Sequence, residues 1–210
     1  LFSMPLYLDN AATSFPKPTQ VYDAVMQAMQ QIGASPGRGG YGSALDASRL
    51  LMDTREAIAG LFHVADSSRI IFTSNATSAL NLATIGSLQP GDHVISSSME
   101  HNSLLRPLFL LEKQGVELTL VSADSQGLID PEQIRQSLRS TTKMVAVAHV
   151  SNVTGGIQDI AAIASIARDA DCLMLLDAAQ SAGSIPIDMQ QLGIDLLAAP
   201  GQHGEPPGLR

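Results

Sequence analysis

The sequence predicts a three-layer α/β fold in which a mostly parallel sheet carries helices on both faces. Three observations predict it. From residue 69 onward, short apolar runs alternate with longer stretches of helical spacing, the pattern of parallel strands joined by crossover helices. Runs such as Leu173-Met174-Leu175-Leu176 are continuously apolar, which suits strands buried on both faces. Each run also ends in polar residues, and the carboxyl edge of an open α/β sheet is where ligands bind.

The elements follow in order. Residues 6–8 are a short apolar piece before the turn-rich Asp9-Asn10-Ala11-Ala12-Thr13-Ser14. Pro16 and Pro18 bracket Lys17, and Thr19 is expected to cap a helix through Ile32 with Val21, Val25, Met29 and Ile32 on its apolar side. Ser35-Pro36-Gly37-Arg38-Gly39-Gly40-Tyr41 must turn sharply. Residues 43–62 show helical spacing through Leu45, Leu50, Leu51, Ile58 and Leu61. Strands are expected at 69–73, 93–97, 116–121, 144–150, 173–177 and 195–199. Helices are expected at 77–86, 103–114, from Asp130-Pro131, and at 160–169, with proline suited to a first helical turn. Residues 1–40 read as an N-terminal segment and 41–210 as the main domain.

Composition narrows the function. Hydrophobic residues make up 45% of the 210 and charged residues 15%, enough for an extensive core. The net charge is −8 without a run of Lys or Arg, which disfavours nucleic acid and anionic membranes as partners. One cysteine, Cys172, excludes an internal disulfide framework, and no stretch approaches the roughly 20 apolar residues of a membrane span. Leu1 to Ser3 are too few for a signal peptide, and Met4 reads as a start. The expected location is the cytoplasm.

Asp177 closes the most apolar strand and is followed by small residues that admit a planar ligand. It can pair with a protonated ring nitrogen or simply cap its loop. Thr73-Ser74-Asn75-Ala76-Thr77-Ser78 opens a helix, where free N–H groups and hydroxyls suit a phosphate as well as an ordinary cap. His101, in Met99-Glu100-His101-Asn102, can stack on an aromatic ring, shuttle a proton or be a structural histidine. Asn152 can donate to a ring oxygen or form a turn before Gly155-Gly156.

Taken together, Tyr7 to Thr13, Ser35 to Tyr41, Phe72 to Leu82, Met99-Glu100-His101-Asn102-Ser103, Ser151-Asn152-Val153-Thr154-Gly155 and Asp177-Ala178-Ala179-Gln180 resemble the cysteine desulfurases of the class V aminotransferase family. The resemblance runs through essentially the whole chain. It implies the fold-type I large domain, pyridoxal 5′-phosphate as cofactor, L-cysteine as substrate, alanine and a persulfide as products, and a homodimer. By the same resemblance Ala76 and Thr77 would hold the phosphate, His101 would stack on the pyridine ring, and Asp177 would pair with its nitrogen. Asn152 and Gln180 would contact the substrate side and the ring hydroxyl. Within that fold, an aminotransferase or selenocysteine lyase is an alternative, as is a non-catalytic fragment that binds cofactor or a partner.

The pattern breaks at Pro200-Gly201-Gln202-His203-Gly204, where His203 takes the place of the family's Schiff-base lysine. Imidazole forms no stable aldimine, and the lysines here are Lys17, Lys113 and Lys143. The family's last large-domain strand, small domain, substrate arginine and catalytic cysteine have no counterpart before Arg210. The expectation is a truncated product, interrupted near Gly201 and inactive alone. Cys172 reads as buried filler rather than a sulfur acceptor.

Overall fold

The computed structural model describes residues 6–37 and 39–201. Five strands form one sheet: β1 (His93–Ser97), β2 (Glu117–Val121), β3 (Thr142–Ala148), β4 (Leu173–Asp177) and β5 (Leu196–Ala198). Their order is β2-β1-β3-β4-β5, and every pairing is parallel. All five therefore end at the same edge.

The period of two along each strand divides the core into two layers. Val145, Val147, Met174 and Leu176 face one side, where Phe62 of α2 (Gly42–Phe62), Ile134 of α5 (Pro131–Ser137) and Ile163 of α6 (Ile160–Asp169) cover them. Met144, Ala146 and Leu175 face the other, under Leu80 of α3 (Ala76–Ser87) and Leu104 and Leu108 of α4 (Asn102–Glu112). Aspartates set several helix starts: Asp130 and Asp159 each accept a first-turn N–H, from Glu132 and Ala162. Asp188 does the same for the short α7 (Met189–Leu192), which Gly193 ends at φ +75°. At the sheet's amino end the fully buried His93 bridges two strands, its ring nitrogens 2.8 Å from Thr142 Oγ1 and Thr119 Oγ1. Cys172 is buried and its thiol donates to the Ala167 carbonyl, the structural role expected of it.

Two expectations are corrected. Residues 69–73 do not form a strand. Ser67–Arg69 is a single 3₁₀ turn, and the extended Ile70-Ile71-Phe72-Thr73 that follows pairs with nothing among the described residues. A strand needs a neighbour to take its N–H and C=O groups, and β5, the nearest open edge, bonds only to β4. The segment is held instead by Arg55, whose Nε donates to the Ile70 carbonyl and whose guanidinium sits over the Phe72 ring.

Thr19 does not cap. It is the first residue of α1 (Thr19–Gln27), preceded by Pro18, and the helix continues as a π-helical turn, Ala28–Ile32. Of its apolar positions, Val21, Val25 and Met29 are exposed. In α2 the buried positions are Ala44, Ala47, Ala59 and Phe62, whereas Leu45, Leu50 and Leu61 are exposed. Small side chains on the inner face allow close approach, which leucine spacing alone does not reveal. The other expected elements lie within two residues of expectation, and α7 is an addition to them. Among the described residues no helix is long and apolar enough to cross a membrane.

Unpaired amides in an extended segment exchange freely, while those of a sheet centre open only with the whole domain. Hydrogen exchange at Ile71 and Phe72 is expected to be faster than at Val145 and Leu175 by several orders of magnitude. Comparable protection would show that 70–73 is paired after all.

Candidate functional site

In the order β2-β1-β3-β4-β5, the chain places β2 on one side of β1 and then adds β3 to β5 on its other side, all parallel. Such a reversal opens a crevice at the carboxyl edge. His101 follows β1 and Asn152 follows β3, one on each side of this point. Asp177 ends β4 next door.

Asp177 is buried, and its Oδ1 accepts the Ala179 N–H at 2.9 Å. Burial pushes its carboxyl above the ordinary range, against the opposing pull of the Ala179 hydrogen bond and of nearby His101. An anion held this way favours any cation that reaches it. Gln180, two residues beyond Ala178, uses its Nε2 to donate to the Ala11 carbonyl at 3.0 Å, drawing the 9–12 turn to the site.

On the α3 side, Asn75 caps the helix by accepting the Ser78 N–H at 2.8 Å. The first-turn N–H groups of Ala76 and Thr77 have no acceptor among the described residues, leaving two donors at the positive end of a helix dipole. Asn152 is exposed in a turn closed by Ser151 N–H to Gly156 O and Gly155 N–H to Ser151 O.

All six residues singled out in the sequence, Ala76, Thr77, His101, Asn152, Asp177 and Gln180, line one open cavity of about 1400 Å³. The same cavity continues along the free edge of β5 to the unpaired 70–73 segment. His203 lies outside the described residues.

Two further residues belong to the site and were quoted in the sequence only as parts of a motif. Ser103 contacts both His101 and Thr77. Glu100 crosses the reversal point: the Ser97 hydroxyl at the end of β1 donates to its Oε1 at 2.5 Å, and the Ala148 N–H at the end of β3 donates to its Oε2 at 2.7 Å. Burial, with a smaller contribution from the Asp177 charge, raises the Glu100 pKa from 4.5 to about 8, against its two hydrogen bonds. Glu100 is therefore a neutral acid at pH 7. An acid one residue before the candidate histidine was the available signal, but burial was not readable from the motif.

Comparison with known proteins extends these observations. The profile of the family described as "Aminotransferase class-V" matches residues 6–207. A probable cysteine desulfurase of Methanothermobacter thermautotrophicus is 38% identical over 200 residues, covering 95% of this chain and 50% of that protein. The cysteine desulfurase IscS of Vibrio campbellii is 37% identical, covering 93% and 49%. Among solved structures, the apo cysteine desulfurase of Thermococcus onnurineus superimposes with a TM-score of 0.87 at 32% identity, covering 93% of this chain and 49% of that one. A structure described as SspA in complex with cysteine gives the same TM-score at 30% identity. The chain spans about half the length of the curated relatives it matches.

Glu100 makes stability depend on pH. Its pKa is raised in the folded state, so the native chain binds a proton that the unfolded chain releases above pH 4.5, and stability falls as pH rises towards 8. Between pH 6.5 and 8.5 the wild type is expected to lose up to about 2 kcal/mol from this group. Glu100→Gln, which keeps the shape and removes the titration, is expected to flatten that loss. Denaturant unfolding at the two pH values checks it, and equal slopes in both proteins would show that Glu100 titrates normally.

Proposed function

The chain belongs to the class V aminotransferase family, and on that premise we propose that it is the cofactor-holding part of a cysteine desulfurase-like protein, cradling pyridoxal 5′-phosphate at the carboxyl edge of its sheet. The observation that carries this reading is the buried Asp177 in one cavity with the free Ala76 and Thr77 N–H groups and the His101 ring. The donor set fits the cofactor's chemistry: two N–H donors for a phosphate, a planar ring for stacking and a buried anion for a protonated ring nitrogen. Bound there, the cofactor supplies an electron sink for amino-acid chemistry.

Each residue then has one task. Ala76 and Thr77 donate their main-chain N–H groups to the phosphate. Asp177 holds the ring nitrogen protonated, and the positive charge in turn relieves the cost of burying its carboxylate. His101 covers one face of the ring and excludes water from it. Asn152 and Gln180 orient the ring hydroxyl and the amino-acid side. L-cysteine is the substrate class this assignment favours. Pairing of two copies is part of the same proposal, supported by the exposed Val21, Val25, Met26 and Met29 on or just beyond α1. A reducing cytoplasmic setting suits the lone buried thiol.

Covalent capture of the cofactor aldehyde needs a primary amine. The chain's lysines are Lys17, Lys113 and Lys143, and none lines the cavity. We therefore assign this 210-residue chain noncovalent cofactor binding without desulfurase turnover.

Titration with pyridoxal 5′-phosphate, followed by absorbance, is expected to show saturable binding that borohydride does not make permanent at the site. Asp177→Asn is expected to bind at least about 10-fold more weakly, the size of a lost charge-assisted contact. The same change removes a buried charge and is expected to stabilise the cofactor-free chain at pH 7. Equal affinity in wild type and variant would overturn the assignment of Asp177. Alanine release from L-cysteine above the free-cofactor background, abolished by Asp177→Ala, would overturn the absence of turnover.

A further inference from the structure

We infer that Ser103 is a positioning residue that locks the His101 ring in its Nε2–H form and ties it to Thr77. Its use in function rests on the cofactor reading above, whereas its geometry does not.

The argument starts from the cap of α4. His101 is the N-cap residue, and its Nδ1 accepts the Ser103 N–H at 3.1 Å. A ring nitrogen that accepts a hydrogen bond carries no proton, so in the neutral ring the proton sits on Nε2. The Ser103 hydroxyl lies 2.7 Å from the same Nδ1. Facing a lone pair, that contact is favourable only with the hydroxyl donating, so Ser103 supplies Nδ1 with two donors.

The hydroxyl proton of Ser103 is thereby committed. Thr77 Oγ1 lies 2.9 Å from Ser103 Oγ, and the remaining arrangement has Thr77 O–H donating to Ser103. The chain of donors runs Thr77 to Ser103 to His101. It joins the first turn of α3 to the first turn of α4, two helices packed together through the fully buried Leu80, Leu104 and Leu108. The Thr77 hydroxyl is spent on Ser103, so what Thr77 offers an anion at this helix end is its main-chain N–H. That sharpens the sequence expectation, in which N–H groups and hydroxyls served alike.

The charged and titratable neighbours do not supply this lock. Asp177, on β4, and Glu100, just after β1, are the acids near the ring, and neither makes a hydrogen bond to it among the described residues. Among the described residues, Ser103 is the one hydrogen-bond partner of Nδ1.

The test uses the full 210-residue chain with ¹⁵N-labelled histidine and no cofactor. Long-range ¹H–¹⁵N correlation is expected to report Nδ1 of His101 as unprotonated in the wild type. Ser103→Ala keeps the capping N–H and the helix but removes one donor. It is expected to raise the Nδ1–H population about 3- to 10-fold, the effect of one neutral hydrogen bond. Ser103→Thr is expected to restore the wild-type spectrum, a rescue that a merely structural serine would not require. Thr77→Val, at the far end of the chain of donors, is expected to shift the spectrum in the direction of Ser103→Ala but less. A wild-type ring protonated on Nδ1, or a Ser103→Ala spectrum identical to wild type, overturns the proposal. A shifted tautomer in a protein that binds no pyridoxal 5′-phosphate sustains the lock and removes only the functional reading.

Discussion

Everything at the site depends on parallel pairing with one reversal of strand order. Parallel strands deliver all their carboxyl ends to one edge, and the reversal between β1 and β3 keeps the loops that follow from closing over one another. A crevice at that point is inherently weak, since the two strands diverge in connection although they remain hydrogen-bonded in the sheet. Glu100 ties it shut from below, with one carboxyl oxygen on the β1 end and the other on the β3 end.

That arrangement explains why two carboxyl groups can occupy one buried neighbourhood. If both were ionised, their repulsion would add to a desolvation cost that each already bears. Glu100 stays neutral and acts as a brace, while Asp177 is the group whose charge an incoming cation can stabilise. Two buried carboxylic acids thus take different roles, set by what each faces. The buried histidines act in the opposite pH sense. His93 and His149 are held below the ordinary value by burial, so they contribute stability above pH 6.5 that is lost as pH falls through and below it. The acid limb and the neutral-to-alkaline limb of stability therefore have different owners.

The far end of the cavity has a different character. There β5 has an open edge, and the extended 70–73 segment keeps its strand-like sequence without a partner, with Ile71 67% exposed. An apolar β-branched residue that exposed is at odds with its composition, and it marks where backbone pairing is unsatisfied rather than where a surface is finished. The α3 helix that begins directly after this segment is nevertheless well fixed, because Asn75 caps it and Leu80 is fully buried. The first turn of α3 can thus be rigid although the residues leading into it are unpaired.

The sequence by itself determined the fold class, the two-sided burial of the sheet and the one-edge convergence of the site residues. These follow from local signals: continuous apolar runs, helical periodicity, and polar residues directly after each run. It also carried the family, since short motifs in a fixed order resist coincidence better than any one of them. Tertiary structure alone decided the rest. Whether Ile70 to Thr73 pairs is a property of its neighbour, not of its own residues. Which face of α2 is inner turned on alanines that fit closely, against the reading of its leucines. The states of Glu100 and Asp177 depend on burial, and the role of Ser103 depends on a threonine 26 positions earlier in the chain. Propensity and period are encoded within a few residues, whereas pairing, desolvation and side-chain contact are encoded only in what the fold brings alongside.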